Sequence, residues 1–188
     1  LCNKNKTIVM CNMRLEERLD EGKFVIEKMQ QSGYRVNYLP TQDCLAEGGE
    51  FFYLPKENIL LAGLRRNNLK GAESMAELME VDQLHIIQSD GYHLDTAICP
   101  IFNDEYDCIG INCAKEVFDN KNYSTLRDIC KKHSWKLLDI ENQDMKKSLI
   151  ARSAMNCLTL PGLLLGTSPI KNTNIIDFTH QNNIQMHV

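Results

Sequence analysis

The sequence predicts a mixed α/β fold built from a repeated strand–strand–helix–strand unit. Two observations predict it. Short apolar runs come in close pairs separated by turn residues, and each pair is followed by a stretch of helical periodicity and a further short strand. The order returns about three times with a period of roughly 45–50 residues, in pattern only and without identity between the copies. One such unit cannot bury its sheet alone, so several must pack around a shared pseudo-symmetry axis, as the blades of a propeller do. The strict alternation of a doubly wound sheet is not what the pairs of strands describe.

Taken in order, "TIVMCN" (7–12) reads as a strand. Residues 15–33 follow as a helix, with Leu15, Leu19, Val25 and Met29 near helical spacing and Gly33 as a stop signal. "YRVNYLP" (34–40) alternates as a strand, and "EFFYLP" and "NILLAG" form a hairpin. A helix over 68–80 and a strand over 84–89 complete that repeat. "LDTAICPIF" and "YDCIGIN" make the next pair, followed by a helix over 123–134 and a strand over 135–140. The third pair is "MNCLTLPG" and "LLLGTS", before a weaker helical stretch and a last strand, "IQMHV".

Composition narrows the function classes. A chain of 188 residues with 43% hydrophobic content can form one cored domain. A net charge of −4, with basic doublets short and scattered, offers no footprint for nucleic acid. The longest apolar stretch, 158–166, is interrupted by Pro161 and Gly162 and falls far short of the roughly 18–20 residues that span a bilayer, so no membrane partner is expected. No signal peptide opens the chain. Eight cysteines form no C-x-x-C pair, and Cys11, Cys99, Cys108 and Cys157 sit in apolar runs, where free cysteine acts as a small hydrophobe. This predicts a reducing, cytoplasmic compartment. The chain begins at Leu1 almost directly in a strand and ends in one, so it is expected to be a fragment of a longer protein.

Three polar clusters stand at equivalent places in the repeats. In "AEGGEFF", Glu47 and Glu50 flank Gly48 and Gly49, which permit a bulge or close backbone approach; alone it reads as an acidic turn. "GLRRNN" (63–68) ends a strand and opens a helix, and alone reads as a polar N-cap with solvated arginines. In "GYHLDTAICP" (91–100), His93, Asp95, Ala97 and Cys99 share parity and are expected on one strand face. His93 and Asp95 would then lie about 6–7 Å apart.

"EGGE", "GLRRNNLKGAE" and "GYHLDTAI", in this order and joined by "AMNCLTLPG", resemble the guanidino-modifying enzymes of the pentein fold: arginine deiminases, dimethylarginine dimethylaminohydrolases and amidinotransferases. The resemblance implies an α/β propeller of ββαβ modules, about three of them present, with residues 1–188 forming one partial catalytic domain. It implies a hydrolase that converts arginine or a methylated arginine to citrulline through a covalent cysteine thiouronium. The substrate is a small guanidino molecule, no cofactor or metal is needed, and a homo-oligomer is allowed.

The chemistry accounts for the residue types. A planar guanidinium cation is held by carboxylates through charge-assisted hydrogen bonds. Its central carbon needs a thiolate nucleophile, and the leaving amine needs an acid that titrates near neutrality. By resemblance His93 is that acid and base, and Glu47 orients it and holds it charged. Asp95 grips the guanidinium, Arg66 binds the α-carboxylate, and Glu50 stands where the family has a shorter aspartate that touches substrate. Asn67 replaces the family's threonine. "HLDT" favours the deiminase or transferase branch.

The family's nucleophile follows its last strand, and a Phe-x-Arg-Asp string precedes its first. Neither occurs in this sequence, so the 188-residue chain is expected to be inactive. Cys99, six residues beyond His93 on a strand and so about 20 Å away, and Cys157 are not expected to replace the nucleophile. The alternatives are an amidinotransferase, or a catalytically dead pentein that binds a guanidino ligand or a partner protein.

Overall fold

The computed structural model describes residues 1–18, 22–140, 155, 157–166 and 169–188, and the chain divides into two compact units, Leu1–Ile86 and Ile87–Val188. In the first unit, β1 (Thr7–Met10) leads through α1 (Lys23–Gln31) to β2 (Arg35–Tyr38). Then come β3 (Phe51–Leu54), β4 (Ile59–Ala62), α2 (Leu69–Leu78) and β5 (Gln83–Ile86). The second unit holds β6 (Ile98–Phe102), β7 (Cys108–Cys113), α3 (Asn120–Lys132) and β8 (Lys136–Asp139), then β9 (Leu158–Leu160), β10 (Leu163–Leu165), α4 (Thr173–Gln181) and β11 (Gln185–His187).

The expected repeat is present in three complete copies with one topology. In the sheets β3-β4-β5, β6-β7-β8 and β9-β10-β11, the first two strands pair antiparallel and the helix returns the third strand parallel to the second. The middle strands β4 and β7 are covered on both sides and accordingly read as nearly continuous apolar runs. Pro100 sits in β6, an outer strand, where a missing N–H is tolerated.

A fourth, abbreviated copy opens the chain. β1 and β2 pair parallel, and the residues just before β1 bridge it antiparallel at Cys2↔Ile8. The tight turn between them is held by Asn3, whose Oδ1 accepts the backbone N–H groups of Asn5 and Thr7, both at 2.9 Å. The first strand of this copy is reduced to a single bridge.

Helix starts are set by the same device three times. Asn68, Asp119 and Asn172 occupy the N-cap positions of α2, α3 and α4, and their side chains accept from Gly71, Asn122 and Ile175. Each cap contributes about 1 kcal/mol. α1 has Gly22 at this position and no side-chain cap. The helix expected over 15–33 is correspondingly shorter: a 3-10 turn at Glu16–Arg18 and then Lys23–Gln31.

Within each unit one apolar cluster joins two modules. In the first it contains Val9, Phe51, Leu60, Met75 and Met79; in the second it contains Cys99, Ile101, Leu138, Leu164 and Ile175. Each fully buried Leu or Ile adds about 1.5–3 kcal/mol, and a single sheet would leave these side chains half exposed. In the expected strand "MNCLTLPG", Asn156 lies outside the described residues; β9 covers Leu158–Leu160.

The largest departure from the sequence reading lies at "LDTAICPIF". His93 and Asp95 are not on a strand, because Leu94–Thr96 form a 3-10 turn with His93 at its N-cap, and β6 begins only at Ile98. The cause is Thr96, whose Oγ1 donates to the His93 carbonyl at 2.7 Å and accepts from the His93 N–H at 3.3 Å. These local bonds take the groups that a strand ladder would have used. The shared strand face of His93 with Cys99 falls with the strand.

Candidate active site

In the first unit, "EGGE" forms a one-turn 3-10 segment at Gly48–Glu50, with Glu47 extended just before it (φ −109, ψ 138). Gly48 does not make the close approach expected of it. Neither it nor Gly49 has positive φ, no bulge forms, and a Cβ built on Gly48 would meet nothing within 4 Å. The turn works instead by drawing both carboxylates inward, so that Glu47 and Glu50 are each only 1% exposed.

Buried carboxylates need partners, and each has them. Glu50 accepts the Arg66 backbone N–H at 2.6 Å. Glu47 Oε1 accepts the Arg14 N–H at 3.2 Å and lies 3.2 Å from Arg66 Nη2, while its Oε2 accepts Arg66 Nε at 3.3 Å. Arg66 therefore holds Glu47 by an Nε hydrogen bond and an Nη2 ion pair. "GLRRNN" supplies the loop for this grip, since Gly63 N–H donates to the Glu50 carbonyl at 2.8 Å.

A second strap fixes the segment before the turn. Asn67 Oδ1 accepts the Glu47 N–H at 2.7 Å, and Asn68 Oδ1 accepts the N–H groups of both Leu45 and Gly71. The start of α2 lies so close to this segment that a Cβ on Gly71 would stand 2.0 Å from the Leu45 carbonyl oxygen. The positioning roles of Asn67 and of the Arg14 backbone were not visible in the sequence, although Asn67 was notable as the residue standing in place of threonine.

In the second unit, the 3-10 turn presents His93 and Asp95 half-exposed, beside Tyr92, which is 63% exposed and packs edge-on to the imidazole with centroids 4.6 Å apart. Burial raises the Asp95 carboxyl above its ordinary value, and the attraction of His93 offsets only part of that rise. Cys99, on β6, is fully buried and its thiol is held well above the ordinary value. The structure thus brings Glu47, Glu50 and Arg66 together in one unit and His93 and Asp95 together in the other. Among the described residues no group of three or more His, Cys, Asp or Glu side chains is placed to hold a metal ion.

The fold is shared with enzymes of arginine chemistry. The N-terminal domain of ArgZ, an arginine dihydrolase from cyanobacteria, matches with a TM-score of 0.77 at 18% identity, covering 100% of this chain and 64% of that one. An AgrE variant in complex with L-arginine matches at TM-score 0.77 and 21% identity, over 99% of this chain and 26% of that one. DDAH from Pseudomonas aeruginosa, complexed with citrulline, matches at TM-score 0.70 and 14% identity, over 100% and 66%. The chain has the pentein-type α/β fold of these guanidino-modifying enzymes, and it spans 64% of the length of the ArgZ domain. No protein-family profile and no curated protein matches the sequence. No helix among the described residues is long and apolar enough to cross a membrane.

Proposed function

We propose that this chain is part of a cytoplasmic hydrolase of the pentein type that cleaves a C–N bond of the guanidino group of arginine or a methylated arginine, with citrulline as product. The observation that carries the proposal is Asp95. A carboxylate kept in a desolvated setting, where one neighbouring histidine does not restore its ordinary acidity, is suited to receive a cation. A guanidinium with paired N–H donors matches it.

The roles follow the resemblance. A cysteine thiolate attacks the guanidinium carbon, His93 protonates the departing amine, and a thiouronium forms. His93 then takes a proton from water, which attacks the same carbon, and the thiolate leaves with citrulline formed. Asp95 holds the guanidinium through both steps. Arg66 serves the substrate α-carboxylate, and its ion pair with Glu47 fixes where its guanidinium sits. Glu50 fixes the Arg66 backbone, a role its longer side chain permits.

The test is a citrulline assay on protein carrying residues 1–188 together with the coding sequence on either side, with arginine and dimethylarginine as substrates. Turnover that His93→Ala and Asp95→Asn remove supports the reading. Turnover that survives both substitutions sinks it. The Glu47–Arg66 pair favours one other reading, a pentein that binds a guanidino ligand without converting it. Saturable arginine binding by calorimetry with no citrulline from the extended protein would select that reading.

A further inference from the structure

We propose that Tyr92 makes the histidine turn selective for a methylated guanidinium, with the exposed tyrosine ring receiving the N-methyl groups while Asp95 takes the unmethylated N–H edge. The inference rests on the guanidino reading above and narrows its substrate class. Tyr92 is the most exposed aromatic side chain among the described residues, at 63%. It stands next to His93 and three residues before the half-buried Asp95. The imidazole between them contacts the ring and attracts the carboxylate.

The backbone holds this ring out in a fixed place. Asp90 N–H donates to the Val117 carbonyl at 2.7 Å. Gly91 is buried against the turn, where a Cβ would stand 3.0 Å from Thr96 Oγ1 and 3.1 Å from the His93 carbonyl oxygen. On the other side, Thr96 ties the His93 backbone at both its N–H and its carbonyl, and Leu94 is fully buried. Tyr92 is thus a surface aromatic on a chain fixed before and after it. Only two side-chain torsions remain to be ordered on binding, so little entropy opposes contact. The ring meets the imidazole at 64° with centroids 4.6 Å apart. In an edge contact of that kind the imidazole covers at most one face of the tyrosine ring, and the exposure of the side chain lets a ligand reach it.

A guanidinium keeps its positive charge when it is methylated, but each methyl replaces an N–H donor with apolar surface. Asp95 accepts a pair of N–H groups from one edge of the cation. The opposite nitrogen then faces an aromatic ring, which accepts hydrogen bonds only weakly. An unmethylated NH2 loses water there without gaining a partner, which costs free energy. A dimethylated nitrogen has no N–H to strand. Its methyl groups carry part of the charge onto the aromatic face, as in the recognition of methylated ammonium ions by aromatic residues. The arrangement therefore favours the dimethylarginine with both methyls on one nitrogen, because that isomer leaves a paired N–H edge for Asp95.

The experiment gives the extended protein equal concentrations of arginine and this dimethylarginine and compares the ammonia and dimethylamine released, which reads the ratio of kcat/KM directly. The parent should release more dimethylamine than ammonia. Tyr92→Phe should keep that ratio within about twofold, and Tyr92→Ser should lower it about three- to thirtyfold, mainly through the KM for dimethylarginine. Circular dichroism of both variants reports their fold. If the extended protein binds both compounds without turnover, the same ratio is read from their two dissociation constants. An excess of ammonia from the parent, a ratio that Tyr92→Ser leaves in place, or an equal loss in Tyr92→Phe would overturn the inference while the guanidino reading stands. No amine from either compound, and no binding of either by calorimetry, would sink the guanidino reading and this inference with it.

Discussion

The acidic turn of the first unit and the histidine turn of the second are both single turns of 3-10 helix set just before a strand, and they treat their charges in opposite ways. Glu47 and Glu50 are almost fully buried, and they take hydrogen bonds or an ion pair from Arg14, Arg66 and Asn67. His93 and Asp95 stay half-exposed, and Asp95 carries a desolvation penalty that its neighbour only partly relieves. The first turn is neutralised when the chain folds. In the second, the Asp95 penalty stays only partly offset. Satisfied charge is architecture, and partly satisfied charge is binding capacity.

This contrast breaks most visibly if each turn loses its central residue. Glu47→Ala removes the ion pair and the hydrogen bond that it makes with the largely buried Arg66 guanidinium, and should lower the unfolding free energy by about 3 kcal/mol, near the low end for a broken buried pair because Arg66 retains some solvent contact. His93→Ala should cost less, about 1 kcal/mol, through the half-exposed packing on Tyr92 and the attraction to Asp95. In the extended protein the order reverses for turnover, where His93→Ala should remove about 100- to 10,000-fold. Denaturant melts and citrulline assays on the two variants check both arms. A large stability loss at His93, or none at Glu47, would erase the distinction between the turns.

Much of the architecture was legible because it depends on patterns that survive without side-chain detail. The hairpins show as paired apolar runs, and α2 starts at the polar N-cap that "GLRRNN" suggested, Asn68, whereas the Asp119 and Asn172 caps of α3 and α4 were not marked. The fourth repeat was not legible, since its outer strand is one bridge at Cys2 with no apolar run to mark it. The histidine turn was misread as strand for a specific reason: the alternation of His93, Asp95, Ala97 and Cys99 is real in sequence, but Thr96 closes a local hydrogen-bonded turn that periodicity does not register. At the acidic turn the residues were found and the geometry was not. The glycines suggested special backbone, whereas Gly48 stands in open space and Gly71, at the start of α2, makes a close approach instead.

That displacement sharpens the comparison at the next scale of effect. Gly71→Ala would gain up to about 1 kcal/mol in helix propensity, yet its Cβ would lie 2.0 Å from the oxygen and 2.7 Å from the carbon of the Leu45 carbonyl. Backbone cannot yield as a side-chain tip can, so a net loss of about 1–3 kcal/mol is expected. The loss should loosen Glu47, because Leu45 belongs to the same strap. Gly48→Ala, in open space and at ordinary φ, should instead stabilise by about 0.5 kcal/mol by restricting the unfolded chain. Chemical denaturation of the two single variants measures both. The opposite ranking would return the structural role to the glycines of the acidic turn.

The smallest effect tests the second turn most directly, through its pH dependence. Because folding raises the Asp95 carboxyl above its unfolded value of about 3.9, the folded state holds that proton more tightly. Below the unfolded value both states are protonated and Asp95 adds no penalty. As pH rises from there through the raised folded value, the unfolded chain ionises first and the folded protein loses stability relative to it; above that window the full penalty remains. Asp95→Asn removes the titration, so at neutral pH it should be more stable than the parent by about 0.5 kcal/mol, and the difference should vanish in acid. A guanidinium ligand should reverse the balance, since it favours the ionised carboxylate. Arginine binding should therefore strengthen as pH rises through the same window and release a fraction of a proton, seen as a buffer-dependent calorimetric enthalpy that Asp95→Asn lacks. If parent and Asp95→Asn keep the same stability difference from acid to neutral pH, Asp95 is not held out of balance, and the histidine turn is as self-satisfied as the acidic one.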